Sequence, residues 1–154
     1  SREFGQFDYI IAHGVYSWVP SQVRDKLLSI CSENLAPQGI AFVSYNTYPG
    51  GHLRQMIRQM MLFHVRSLSE PQERIDQARA LLGFLAESQP TGDEYALFVK
   101  KELQFALSRT DEAIYHDDLA EINSPVYFWQ FISSAAEHGL QYLSEAYLSE
   151  TVVA

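Results

Sequence analysis

His13 and Gly14 close a short apolar run, Phe7 to Ala12 (FDYIIA), and Tyr16 and Trp18 follow within five residues. That grouping has the makings of a ligand site. An imidazole orients or deprotonates a nucleophile near neutral pH. A glycine lets a ligand approach the backbone closely. Tyr16 and Trp18 offer aromatic walls, although the same rings serve equally as packing under a following helix. A second stretch, Tyr48-Pro49-Gly50-Gly51-His52, runs into a predicted helix. Free amide groups and the helix dipole at such an end attract a phosphate or carboxylate, while a glycine-rich turn that merely redirects the chain would look the same. The third group, His116, Asp117, Asp118 and Glu121, has metal-type donors but no matching partner cluster, which is the pattern of a solvated loop. No metal is expected.

The remaining reactive residue types read as structure. His64 falls on the apolar stripe of a predicted helix and is expected to be a core histidine; its distance from His52 gives no paired-ligand spacing. Met56, Met60 and Met61 share that stripe as core or partner contacts. Cys31 falls on a predicted buried helical face and behaves as a small hydrophobe. As the single cysteine it excludes an internal disulfide and a multi-cysteine zinc site. Arg54, Arg58 and Arg66 could form a basic patch or a solvated helix face.

The elements that must position these residues follow from periodicity. Phe7–Ala12 and Ile40–Tyr45 (IAFVSY) are continuous apolar runs of strand length. Between them Val23, Leu27, Ile30, Cys31 and Leu35 keep helical spacing after Ser21, and Leu35-Ala36-Pro37-Gln38-Gly39 supplies the stop. Strand, helix, strand predicts two parallel strands joined by a crossover. Leu53, Met56, Ile57, Met60, Met61, His64 and Leu68 then predict an amphipathic helix. Ser69 with Gln72, and Thr91 with Glu94, read as capping boxes for two more helices. Thr110 to Asn123 is an acidic loop with a short helical turn. Ser124-Pro125 should open a last helix that Gly139 ends, and Leu140–Leu143 should form a short strand or a link. The fold class is therefore an α/β strand-helix-strand over residues 1–50 followed by a mainly α-helical domain over 51–154. Two parallel strands do not make a stable sheet alone, so the chain reads as a segment of a longer protein.

Of the 154 residues, 47% are hydrophobic and 13% aromatic, which excludes a disordered or low-complexity chain. No apolar run approaches the roughly 18 residues of a membrane span, and the opening residues lack a signal-peptide pattern; a cytoplasmic location is the expectation. Residues 1–80 hold eight Lys and Arg against seven Asp and Glu, whereas 81–154 hold three against twelve. A surface so acidic repels phosphate backbones, which argues against nucleic acid as a partner of the second half. Unpaired strand edges make self-association or a protein partner the expectation instead.

The stretch Phe7-Asp8-Tyr9-Ile10-Ile11-Ala12-His13-Gly14-Val15-Tyr16-Ser17-Trp18-Val19, with the turn Leu35-Ala36-Pro37-Gln38-Gly39 and the strand after it, resembles the middle of a class I S-adenosylmethionine-dependent methyltransferase. Ser44 through His52, and His116-Asp117-Asp118-Leu119 through Pro125-Val126-Tyr127-Phe128 to His138-Gly139-Leu140-Gln141-Tyr142-Leu143, resemble the bacterial predicted regulatory domain that follows that core. The resemblance implies a Rossmann-like sheet, S-adenosylmethionine as cofactor of the parent protein, and an unidentified methyl acceptor. It implies cofactor contacts at Ala12, His13 and Gly14, with His13 the one candidate catalytic group. It also implies substrate contacts at Tyr16, Trp18, Asn46 and Tyr48. The family's glycine-rich cofactor loop has no counterpart here, since no G-x-G-x-G occurs. The resemblance thus implies a parent enzyme of which these residues alone are inactive, or else a non-catalytic regulatory or interaction module.

Overall fold

The structure, a computed structural model, describes residues 5–147. In chain order its elements are β1 (Phe7–Ala12), a 3-10 turn (Tyr16–Trp18), α1 (Ser21–Asn34), β2 (Leu35–Val43), β3 (Thr47–Tyr48), α2 (His52–His64), α3 (Pro71–Glu87), α4 (Glu94–Leu107), and α5 (Asp111–Ala113) continuing into a π-helical turn (Ile114–Asp118). β4 (Val126–Tyr127) and α6 (Phe128–Glu137) complete the order. The chain is mixed α/β. It divides into two compact units, residues 1–48 with 124–154, and residues 49–123. The sequence places one boundary after residue 50 and keeps all of 51–154 together. In the structure the segment after Asn123 groups with the strand-helix-strand, because backbone hydrogen bonds tie it there: Ser124 N–H donates to Ser17 O at 2.9 Å and Val126 N–H to Asn46 O at 3.0 Å.

In the first unit β1 and β2 pair in parallel, as the crossover requires, with Tyr9 opposite Ile40 and Ala12 opposite Val43. β2 starts at Leu35, directly off α1, rather than at Ile40. Phe7 faces Leu35 while Tyr9 faces Ile40, so β2 passes through Ala36–Gly39 where β1 has only Asp8, and the excess is absorbed as a bulge, where the missing N–H of Pro37 does no harm. Gly39 is required there: a Cβ would meet Phe7 O at 2.8 Å and the Leu35 side chain at 2.9 Å. β3 and β4 form a second, two-residue parallel pair. That pairing explains why the helix expected from Ser124-Pro125 begins only at Phe128. Val126 and Tyr127 stay extended, and the Gln130 side chain accepts Tyr127 N–H at 2.8 Å. Gly139, at φ +73°, ends α6, and 140–143 hold no strand. Tyr9 (71% exposed) and Ile11 (73%) lie open on β1, as a two-stranded pair must leave them unless another layer covers its face.

The second unit is helical. Ile57 and Met61 of α2, Ala78 and Leu82 of α3, Val99 and Leu103 of α4, and Ile114 in the π-helical turn make one buried cluster. Both expected capping boxes are displaced. α3 starts at Pro71, whose ring presets the first helical position after Glu70. α4 is capped by Asp93, whose carboxylate accepts Tyr95 N–H at 2.8 Å; an aspartate adjoining the helix outcompetes the more distant Thr91. His64 is exposed, not in the core, and its Nε2 lies 3.3 Å from Gln77 Oε1. Met61 is buried, whereas Met60 is 40% exposed.

Candidate functional site

Parallel strands end on the same side, so pairing β1 with β2 brings their carboxyl ends together, the place where open α/β sheets bind ligands. Ser44 N–H extends the ladder by one bond, donating to Ala12 O at 3.1 Å. The chain then turns at Gly14, whose φ of +67° suits glycine. Gly14 N–H donates to Ser44 Oγ at 2.8 Å, and the same oxygen lies 3.1 Å from His13 Nδ1. The His13 ring stacks on Phe42 at 6.0 Å between centroids and is otherwise exposed. Ala12, His13, Gly14 and Ser44 therefore form one small polar surface across two strand ends. In the sequence Ser44 is a lone hydroxyl inside the apolar run Ile40–Tyr45; only the strand register puts it beside His13.

The aromatic candidates are placed differently. Tyr16 is 4% exposed. Its ring packs edge-on to Phe131 at 5.2 Å and lies 5.9 Å from Tyr45, which stacks on Phe131 at 4.3 Å. The Arg24 guanidinium covers Tyr16 at 5.2 Å. Burial raises the Tyr16 phenol above its usual range, partly opposed by Arg24 and a hydrogen bond with Ser134. Burial first, and then the Glu145 charge, pushes Tyr45 up to about 12. Trp18 is half-buried, and its Nε1 is buried without a hydrogen-bond partner among the described residues. Ser17 beside it is fully buried; its Oγ accepts Asn46 N–H at 2.7 Å. Asn46 thus joins the turn after β1 to the start of β3, where the Tyr48 ring lies 5.4 Å from Tyr127.

In the helical unit the acidic group faces arginines. Asp118, 2% exposed, is bound by Arg109 and lies 3.2 Å from Arg54, while Asp117 pairs with Arg109. Among the described residues no three His, Cys, Asp or Glu side chains are grouped as a metal would need. The three arginines of α2 and its end do not form a patch: Arg54 serves Asp118, Arg58 is buried and donates to Ala120 O, and Arg66 lies over Phe63 at 4.0 Å. In the turn before α2, His52 N–H donates to Pro49 O, and Gln55 N–H to Gly51 O is the first bond of the helix. Cys31 is buried, as its helical position predicts. Among the described residues no helix is long and apolar enough to cross a membrane.

Comparison with known proteins finds a family model that matches the C-terminal part of the chain. Residues 110–154 match the model of the predicted methyltransferase regulatory domain. An uncharacterized protein of Rickettsia prowazekii (strain Madrid E) is 45% identical over 147 residues, covering 95% of this chain and 27% of its own length; a second from that strain is 42% identical over 135 residues, covering 87% and 54%. The structure of PKMT2 from Rickettsia typhi in complex with AdoHcy superposes with a TM-score of 0.81 at 44% identity, covering 90% of this chain and 27% of that one. The chain thus spans between about a quarter and about half of the relatives it matches.

Proposed function

From the premise that this chain carries a predicted methyltransferase regulatory domain in its C-terminal part, we propose that it is a portion of an S-adenosylmethionine-dependent methyltransferase. On this reading β1, α1 and β2 are a strand-helix-strand of the Rossmann-like catalytic sheet, and the helical residues regulate the enzyme or recognise its acceptor. The observation that carries the reading is the likeness, over 90% of this chain, to PKMT2 solved with AdoHcy, the molecule that S-adenosylmethionine becomes after giving up its methyl group. Ala12, His13 and Gly14 are proposed as cofactor contacts, with the backbone turn at Gly14 allowing close approach. Trp18, Asn46 and Tyr48 are proposed on the acceptor side, and Tyr16 acts there through the packing that holds the turn. The sulfonium cofactor supplies a methyl group on an excellent leaving group, so the protein's part is to hold nucleophile, methyl carbon and sulfur in line.

A non-catalytic interaction role is the second reading, and the helical unit favours it. Phe63, Phe84, Tyr95, Phe98 and Phe105 are each more than half exposed, so the helical unit leaves large apolar rings available to a partner. Calorimetric titration of S-adenosylmethionine into residues 1–154, and into a form extended upstream of Ser1, separates the two. The extended form is expected to bind and the short form to bind weakly or not at all. Failure of the extended form to bind would remove the methyltransferase reading and leave the interaction module.

A further inference from the structure

We infer that Ser44 fixes His13 in its Nε2–H tautomer, making His13 a hydrogen-bond donor to a ligand oxygen at the strand ends rather than a base. The hydrogen accounting at Ser44 leads there. A serine hydroxyl has one proton and two lone pairs. Ser44 Oγ already accepts Gly14 N–H at 2.8 Å and lies 3.1 Å from His13 Nδ1. If Nδ1 carried the imidazole proton, Oγ would accept twice, filling both lone pairs, and its own proton would be left to solvent instead of to a protein group. If Oγ–H donates to Nδ1, both bonds are made with one donor each. The bond from Gly14 also polarises the hydroxyl and strengthens its donation. Neutral His13 then carries its proton on Nε2.

The consequence is chemical. Nδ1 is occupied by Ser44, the ring is backed by Phe42, and Nε2–H is the one position left for a ligand. It donates in the neutral ring and still donates when the ring is protonated, so it recognises a lone pair on oxygen, as in a carboxylate or a hydroxyl. A proton-accepting nitrogen is not presented. The ligand part rests on the strand ends being the ligand site proposed above; the tautomer does not.

Two measurements test it in the upstream-extended protein. In nitrogen-15 histidine spectra, with His13 assigned by its loss in His13→Gln, Nδ1 should resonate as an unprotonated nitrogen and Nε2 as a protonated one, and Ser44→Ala should convert this single form into a mixture. A protonated Nδ1, or no change in Ser44→Ala, overturns the inference. Calorimetry with AdoHcy then reads the donor: His13→Gln, whose amide places N–H near Nε2, should bind within about threefold of the parent, and His13→Asn and His13→Ala about five- to tenfold more weakly. Equal binding by all three variants overturns the donor role. Absence of AdoHcy binding by the parent would defeat the ligand-site reading, while the tautomer would still stand or fall by the ligand-free spectrum.

Discussion

The carboxylate of Asp118, 2% exposed, is shared between two arginines: Arg109 binds one of its oxygens, and Arg54 lies 3.2 Å from the other. The two contacts differ in environment. The Arg109 side chain is 15% exposed and that of Arg54 45%. Removing the buried partner takes away most of the compensation of a buried charge, a loss that reaches about 3–5 kcal/mol where no partner remains, whereas an exposed partner contributes under about 1 kcal/mol. Arg109→Met should therefore lower the denaturant midpoint far more than Arg54→Met. Equal shifts would mean that Asp118 is not held as described.

Ser17 is fully buried, and its hydroxyl accepts Asn46 N–H at 2.7 Å. Ser17→Ala keeps the shape and strands a backbone donor, a loss of about 1–3 kcal/mol. Urea unfolding should show it, and amide exchange at Asn46 should accelerate. Unchanged exchange at Asn46 would remove the tie between the turn after β1 and the start of β3.

Gly39 sits in the β2 bulge with Phe7 O 2.8 Å from the place a Cβ would occupy. Backbone cannot move aside as a side chain can, so Gly39→Ala should destabilise by about 1–3 kcal/mol through overpacking. Gly50→Ala, where a Cβ meets nothing within 4 Å, should change thermal stability by less than about 1 kcal/mol. Similar effects at the two glycines would count against the bulge.

Alkaline pH should unfold the first unit through Tyr45. Its phenol is held protonated to about 12, chiefly by burial, against an ordinary value of 10. Between those values the unfolded chain has lost the proton and the folded chain has kept it. Stability is therefore fully present below pH 10 and falls as pH rises toward 12. Tyr16, raised in the same direction, adds to the slope. Tyr45→Phe should flatten the fall in unfolding free energy between pH 10 and 11.5, and an unaltered slope would exclude Tyr45 as its source.

The strand over Phe7–Ala12, the helix over Ser21–Asn34 and the amphipathic helix through Met61 were legible in the sequence, because hydrophobic periodicity is local and these elements obey it without outside help. So were the burial of Cys31 and the likeness to a methyltransferase with its predicted regulatory domain. Helix starts were less legible, since Pro71 and Asp93 outcompeted residues that match a capping pattern equally well on paper. What only the tertiary structure decided lies where distant segments meet. Val126 and Tyr127 stay extended because Thr47 and Tyr48 offer them backbone partners, His64 is exposed although its stripe is apolar, and Ser44 joins His13 through the register of two strands thirty residues apart. Hydrogen bonds between such segments depend on positions in space, and one chain's order of side chains carries no record of them until the strands have paired.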